Sequence, residues 1–197
     1  MAQARITETA LRLFASRGSA QITVSELAAA AGVARGTIYN NFAAPDALFE
    51  EIAARLANDA HQQILKISQS VKDPAERVSI GIRFFVKQAQ EQPDWGRFML
   101  RFAMSHAVLQ DVWAGQPALD LKEGQVSGRF QFSPQQELSF PTMLAGVVLA
   151  AIVLVVEGHK AWREAGCDAV EFVLRALGVE ADEARRIATF DLQALPN

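Results

Sequence analysis

The chain has 197 residues, half of them hydrophobic, with a net charge of −3 and a single cysteine. That composition excludes a wholly disordered chain, a disulfide-stapled scaffold, and a protein that binds nucleic acid over its whole surface. Cys167 stands alone, so no multi-cysteine metal site is available, and Arg5, Glu8 and Arg12 interrupt what would be the apolar part of a signal peptide. A cytoplasmic protein is therefore expected. The charge is uneven: residues 1–42 hold four arginines against two glutamates, +2, which leaves −5 for the remainder. A mildly basic head on an acidic body fits local contact with DNA.

Taken in order, Ile6, Ala10, Leu13 and Phe14 form a helical stripe, and Gly18 stands where that helix would stop. Thr23 and Glu26 have the T-x-x-E spacing of a capping box, which opens a second helix with Val24, Leu27, Ala28 and Ala31 on its apolar face. Gly32 supplies the turn. A third helix from about Ala34 points Ile38 and Phe42 inward and turns Gly36, Asn40 and Ala43 outward, flanked by Thr37, Tyr39 and Asn41. The outward face is small and hydrogen-bonding, with Arg35 at its start, which suits a helix entering a DNA major groove.

These residues resemble the TetR family of bacterial transcriptional regulators. The pattern is carried by Phe14, Gly18, Thr23, Val24, Leu27, Ala28, Ala31, Gly32, Val33, Thr37, Ile38, Tyr39, Phe42 and Leu48, about the first quarter of the chain. One position departs from it: where the family commonly has a phosphate-contacting lysine three residues after the aromatic at Phe42, this chain has Pro45. That substitution predicts a weaker phosphate clamp, with Arg35, Thr37 and Tyr39 carrying more of it.

Asp46 opens a long helix with Leu48, Phe49, Ile52, Leu56, Ala60 and Ile64 in phase, expected to reach about Val71. Lys72-Asp73-Pro74 breaks it. A fifth helix runs from Pro74 to Gln92 and a sixth from Pro93 through Met104, while a segment over 107–122 is interrupted by Gly115 and Pro117. Residues 123–132 read as a loop. Ser133 to Gln136 is a good helix start, and Pro141 kinks or restarts that helix. Met143 to Val156 is fourteen residues without a charge, shorter than the roughly 20 that cross a bilayer. It reads as a helix buried on all sides, which needs the protein's own core and a second subunit. Gly166 precedes an amphipathic helix with Asp168 near its start and Phe172, Val173, Leu174 and Leu177 on its apolar side, and a short charged helix occupies 182–192.

The fold class expected is all-α: a helix-turn-helix domain over residues 1–47, its motif at about 25–44, joined by the long helix to a regulatory and dimerisation domain over 48–197. The resemblance implies a repressor that binds a palindromic double-stranded DNA operator as a homodimer. Thr23, Ser25, Arg35, Gly36, Thr37, Tyr39 and Asn40 are the DNA-contact candidates. Dimerisation is expected through the helices holding Met143–Val156 and Asp168–Leu177. The family's body encloses a small-molecule pocket, so an apolar or aromatic effector is expected, with Phe84, Lys87, Gln88, Phe98, Arg101, Phe102, His106 and Trp113 as candidates. Most of that aromatic set also reads as ordinary core. His61, His106 and His159 lack metal-site spacing, and Ser105, His106 and Asp111 lack a nucleophile elbow, so no metal, cofactor, membrane span or enzyme activity is expected. A second reading, motivated by Pro45 and the modest charge of the head, is a ligand-binding protein that has lost operator binding.

Overall fold

A computed structural model describes residues 2–43 and 47–190 and is helical throughout, with no strand among the described residues. Ala2–Arg17 (α1), Val24–Ala31 (α2) and Arg35–Asn41 (α3) form the head. Their shared core includes Ile6, Ala10, Phe14, Leu27, Ala28, Ala31, Ile38 and Phe42, all buried as the spacing predicts, while Leu13 and Val24 are only half-buried and Leu11 is buried instead. Leu48–Ser68 (α4) then runs about 31 Å at 1.5 Å per residue. Pro45 and Asp46, where the weakened clamp and the start of this helix were expected, lie outside the described residues.

The body comprises Pro74–Glu91 (α5), Pro93–Phe102 (α6), Ala107–Ala114 (α7), Gln116–Val126 (α8), Ser139–Val156 (α9), Trp162–Ala176 (α10) and Ala181–Thr189 (α11). Helix α5 is its axis and packs against α4, α6, α8, α9, α10 and α11. Asp73 caps it by accepting from the Ala75 amide at 2.9 Å, with Pro74 in the first turn.

Four expectations shift in detail. The 107–122 segment is two helices divided at Gly115, and α8 continues to Val126, four residues into the expected loop. Phe130 then folds back onto Gly124, where any side chain would collide with its ring. Pro141 restarts a helix without kinking it: Pro134–Gln136 is a single 3-10 turn, and α9 begins at Ser139 with Pro141 in its first turn. Gly166 lies inside α10, packed on Arg83 of α5, so Cys167 and Asp168 are mid-helix residues. Leu192, the expected end of α11, falls outside the described residues.

The largest difference concerns α9. Only six of its 18 residues are buried: Leu144, Ala145, Val148, Ala151, Ile152 and Val155. The opposite side exposes Met143, Gly146, Ala150 and Val153. Phe172, assigned by its spacing to the apolar side of α10, is 65% exposed. Both helices therefore turn apolar surface outward from a single chain.

Candidate functional site

The head is assembled by local chemistry. The Thr23 hydroxyl accepts from the Glu26 amide at 3.2 Å while the Glu26 carboxylate accepts from the Thr23 amide at 2.8 Å, closing the capping box. Arg17, at the end of α1, pairs with the other Glu26 oxygen at 2.6 Å and ties the first helix to the second. The Thr23 amide first, and then the Arg17 guanidinium, hold the Glu26 carboxyl down at about 2. Gly32 takes φ +62°, and the Val33 and Gly32 amides return to the Ala28 and Ala29 carbonyls at 3.0 and 3.2 Å. This left-handed closure aims α3 across α2.

Helix α3 buries Ile38 alone and presents Arg35, Gly36, Tyr39 and Asn40 to solvent, with Thr37 half-buried beside them. Tyr39 is 57% exposed, an unusual place for a large ring with no protein partner. Gly36 has helical backbone and nothing within 4 Å of a would-be Cβ. Nothing within the described residues calls for glycine there, and in a helix it costs about 1 kcal/mol against alanine. A small residue on that face suits a surface that another molecule approaches closely. Ser25 and Thr23 lie at the start of α2, but the Thr23 amide is already committed to the Glu26 carboxylate. Thr23 also serves the fold through its capping hydroxyl.

A residue outside the predicted set holds α3 from behind. Arg55 of α4 donates to the Asn41 carbonyl at 3.2 Å, pairs with Glu51 at 2.5 Å, and lies over the Phe42 ring at 4.9 Å from its centroid. A cation is thus set on the C-terminal carbonyl end of α3, where the helix dipole favours it. The i, i+4 spacing of Glu51 and Arg55 was legible in the sequence; the partner fourteen residues earlier was not.

An aromatic cluster joins head to body. Phe14 meets Phe49 edge-on at 5.1 Å, Phe49 meets Phe98 at 5.6 Å and Phe102 at 5.0 Å, and His106 stacks within 4.4 Å of Phe49. The Arg101 guanidinium packs on Gly18 at the end of α1. Phe98, Arg101, Phe102 and His106, named as effector candidates, thus sit at the junction between α1, α4 and α6.

A separate cavity of about 290 Å3 opens inside the body. Helix α4 contributes Asn58, His61 and Ile64, and α5 contributes Val78, Ile82 and Phe85. Asp111, Trp113 and Gln116 come from α7 and α8, and Leu144 and Val148 from α9. Trp113 is the one effector candidate that lines it. Its ring lies 5.1 Å from that of Phe85, and its buried indole N–H has no acceptor among the described residues. Phe84 and Gln88 border a smaller hollow against α4, and Lys87 pairs with Glu91 at 3.3 Å.

Arg77 and Asp120 also line the cavity, joined at 2.8 Å. Burial alone would lower the Arg77 pKa, but the Asp120 and Glu123 carboxylates outweigh it and raise it, so the guanidinium stays charged. Cys167 is unreactive by position: burial pushes its thiol up, and Sγ lies 3.0 Å from the Ala188 carbonyl. Among the described residues no cluster of His, Cys, Asp and Glu has the form of a metal site.

Residues 6–52 match the family described as bacterial regulatory proteins of the tetR family, and residues 73–190 match the Tetracyclin repressor-like C-terminal domain. The chain belongs to the TetR family. That family and the curated relatives the chain matches are transcriptional regulators. Two curated relatives from strains of Mycobacterium tuberculosis, both called uncharacterized HTH-type transcriptional regulators, are 32% identical over 93 residues. Each match covers 47% of this chain and 46% of the relative, so the chain spans about half the length of the curated relatives it matches. Among solved structures, RolR in complex with resorcinol is 26% identical with a TM-score of 0.71, covering 100% of this chain and 95% of RolR. A tetR family transcription regulator from Shewanella sp. PV-4 has a TM-score of 0.75 at 23% identity, covering 91% of this chain and 100% of its own, and speaks to the fold alone. Within the TetR family, α2 and α3 correspond to the helix-turn-helix, and residues 73–190 to the C-terminal body.

Proposed function

We propose that this TetR-family protein is a cytoplasmic repressor that binds a palindromic operator as a homodimer and is released by a small apolar or aromatic effector. The observation that carries the reading is the placement of α4. One turn of it, at Arg55, grips the end of the recognition helix, and the next two, at Asn58, His61 and Ile64, line the body cavity. An occupant that displaces α4 therefore acts on α3 through a rigid element, which links effector and operator affinities.

Thr37 and Asn40 are assigned to base edges, Tyr39 and Arg35 to phosphates or bases, and Gly36 to close approach of the backbone. Ser25 is assigned to phosphate through the amide end of α2, whereas the Thr23 amide is held by Glu26, so Thr23 serves that end as its cap. A good bidentate base contact contributes about 1–3 kcal/mol of discrimination. The open sides of α9 and α10 support the dimer. Gly146 and Ala150 are small enough for two copies of α9 to approach closely, with Met143, Val153 and Phe172 filling the seam. The two heads are then delivered to successive major grooves, about 34–36 Å apart or a multiple of that. RolR, bound to resorcinol, supports a small aromatic effector.

Footprinting on the DNA flanking the gene, at low salt where phosphate contacts are strongest, tests the core of this reading. One protected palindrome is expected; no protection would overturn it. Combining Tyr39→Phe with Asn40→Ala should weaken the footprint by roughly ten- to a hundredfold, the scale of one or two lost contacts. Unchanged binding removes both residues from the site.

A further inference from the structure

We infer that the body cavity selects by charge as well as by shape, taking an uncharged hydroxylated aromatic ring and refusing the same ring bearing a carboxylate. This deepens the effector reading above and rests on it. Arg77 is the one Lys or Arg among the described residues of the cavity wall, and four of its five N–H donors are already committed. Its Nε donates to Asp120 at 2.8 Å, one terminal nitrogen to the Lys72 and Val71 carbonyls at 2.8 and 3.2 Å, and the other to Glu123 at 2.5 Å. Turning it toward a ligand would break the turn that ends α4 and leave Asp120, 5% exposed, charged and unpaired. Asp120 in turn accepts from the Gln116 amide at 2.9 Å, so the pair is closed on itself.

The charge that remains is negative. Asp111 lines the cavity from α7, and its carboxylate makes no ion pair among the described residues. A ligand carboxylate would give up hydration beside the solvent-exposed Asp111 carboxylate, with no Lys or Arg in the wall among the described residues except the Arg77 that Asp120 and Glu123 already hold, which is unfavourable. A phenolic hydroxyl meets the opposite situation. It donates to Asp111 or His61 and accepts from Asn58 or from the Trp113 N–H, a buried donor without an acceptor. The ring itself fits between Phe85, Trp113, Ile82 and Val148. A quaternary ammonium is favoured by Asp111 but brings no aromatic ring to fill the space between Phe85 and Trp113.

Calorimetric titration of the full chain without DNA tests this with three probes: resorcinol, 2,4-dihydroxybenzoate and choline. Resorcinol should bind at least about tenfold more tightly than either of the others, a difference of about 1.4 kcal/mol. Asp111→Lys, on the exposed side of α7, should reverse the order of the first two while leaving the helical circular dichroism unchanged. Equal or tighter binding of the carboxylate or of choline, or no binding of any probe, overturns the inference. Should resorcinol bind with the expected preference yet leave the operator footprint intact, charge selection stands and the effector reading fails.

Discussion

Two helices of this protein each leave one side uncovered, and the two sides are chemically opposite. Helix α3 shows water Arg35, Gly36, Thr37, Tyr39 and Asn40, groups that hydrogen-bond to solvent as readily as to a partner. Helix α9 shows it Met143, Gly146, Ala150 and Val153, which gain nothing from water. A polar face is stable both free and bound, so its contact is reversible and answers to salt. An uncovered apolar face stabilises whatever covers it, so its contact is standing. On the proposed function, the contrast separates a surface that would be regulated from one that would only assemble.

The largest effect comes from charging the apolar face. Val153→Glu should convert a dimer at micromolar concentration into a monomer by sedimentation. Operator affinity should fall on the order of a hundredfold or more, because the second head no longer binds as part of one molecule. A dimer that survives this change would move the assembly surface away from α9. Next comes Arg55→Ala, which touches the polar helix only from behind. Loss of one charge-assisted hydrogen bond, about 1.5 kcal/mol, should weaken the operator roughly tenfold. The slope of log affinity against log salt should stay as it was, since Arg55 holds a carbonyl and no phosphate. A slope reduced by about one would instead make Arg55 a phosphate ligand.

Gly36→Ala sets stability against binding on the polar face. It should stabilise the head by about 0.5–1 kcal/mol in denaturant melts while weakening the operator in anisotropy titrations. Tighter binding would place Gly36 away from the DNA. The smallest effect is acid sensitivity. Folding lowers the Glu26 pKa from 4.5 to about 2, so its contribution is fully present above pH 4.5 and is lost as pH falls through about 2. Amide exchange in α2 should rise over that window in the native protein and be flat in Glu26→Gln. The α9 face has no ionisable side chain, so association through it should lack this particular dependence.

The head was legible because its determinants are close in sequence. A capping box spans four residues, the Gly32 closure six, and the inward pair Ile38 and Phe42 one turn, so spacing alone defines them. The cavity was much less so. Trp113 was singled out, but Phe98, Phe102 and His106 were drawn away by Phe14 and Phe49, a packing between α1, α4 and α6 that no local pattern encodes. The pairing of Arg77 with Asp120 spans 43 residues. His61 follows Ala57 by four residues and precedes Ile64 by three, a polar break in an apolar stripe that was available as a signal. For α9, its apolar composition led to the expectation of burial on all sides, yet hydropathy does not say which side the chain itself buries.

The grip of Arg55 on Asn41 has a consequence for how such a protein diversifies. It is made to a main-chain oxygen, and that oxygen is the same whatever side chains stand on the outer face of the helix. On the proposed function, exchanging Arg35, Thr37, Tyr39 and Asn40 for other residues would change the DNA sequence recognised without touching the latch behind it. The scaffold is therefore suited to exchange of target sequences, and a chimera carrying foreign residues on that face should keep its response to the cavity's occupant.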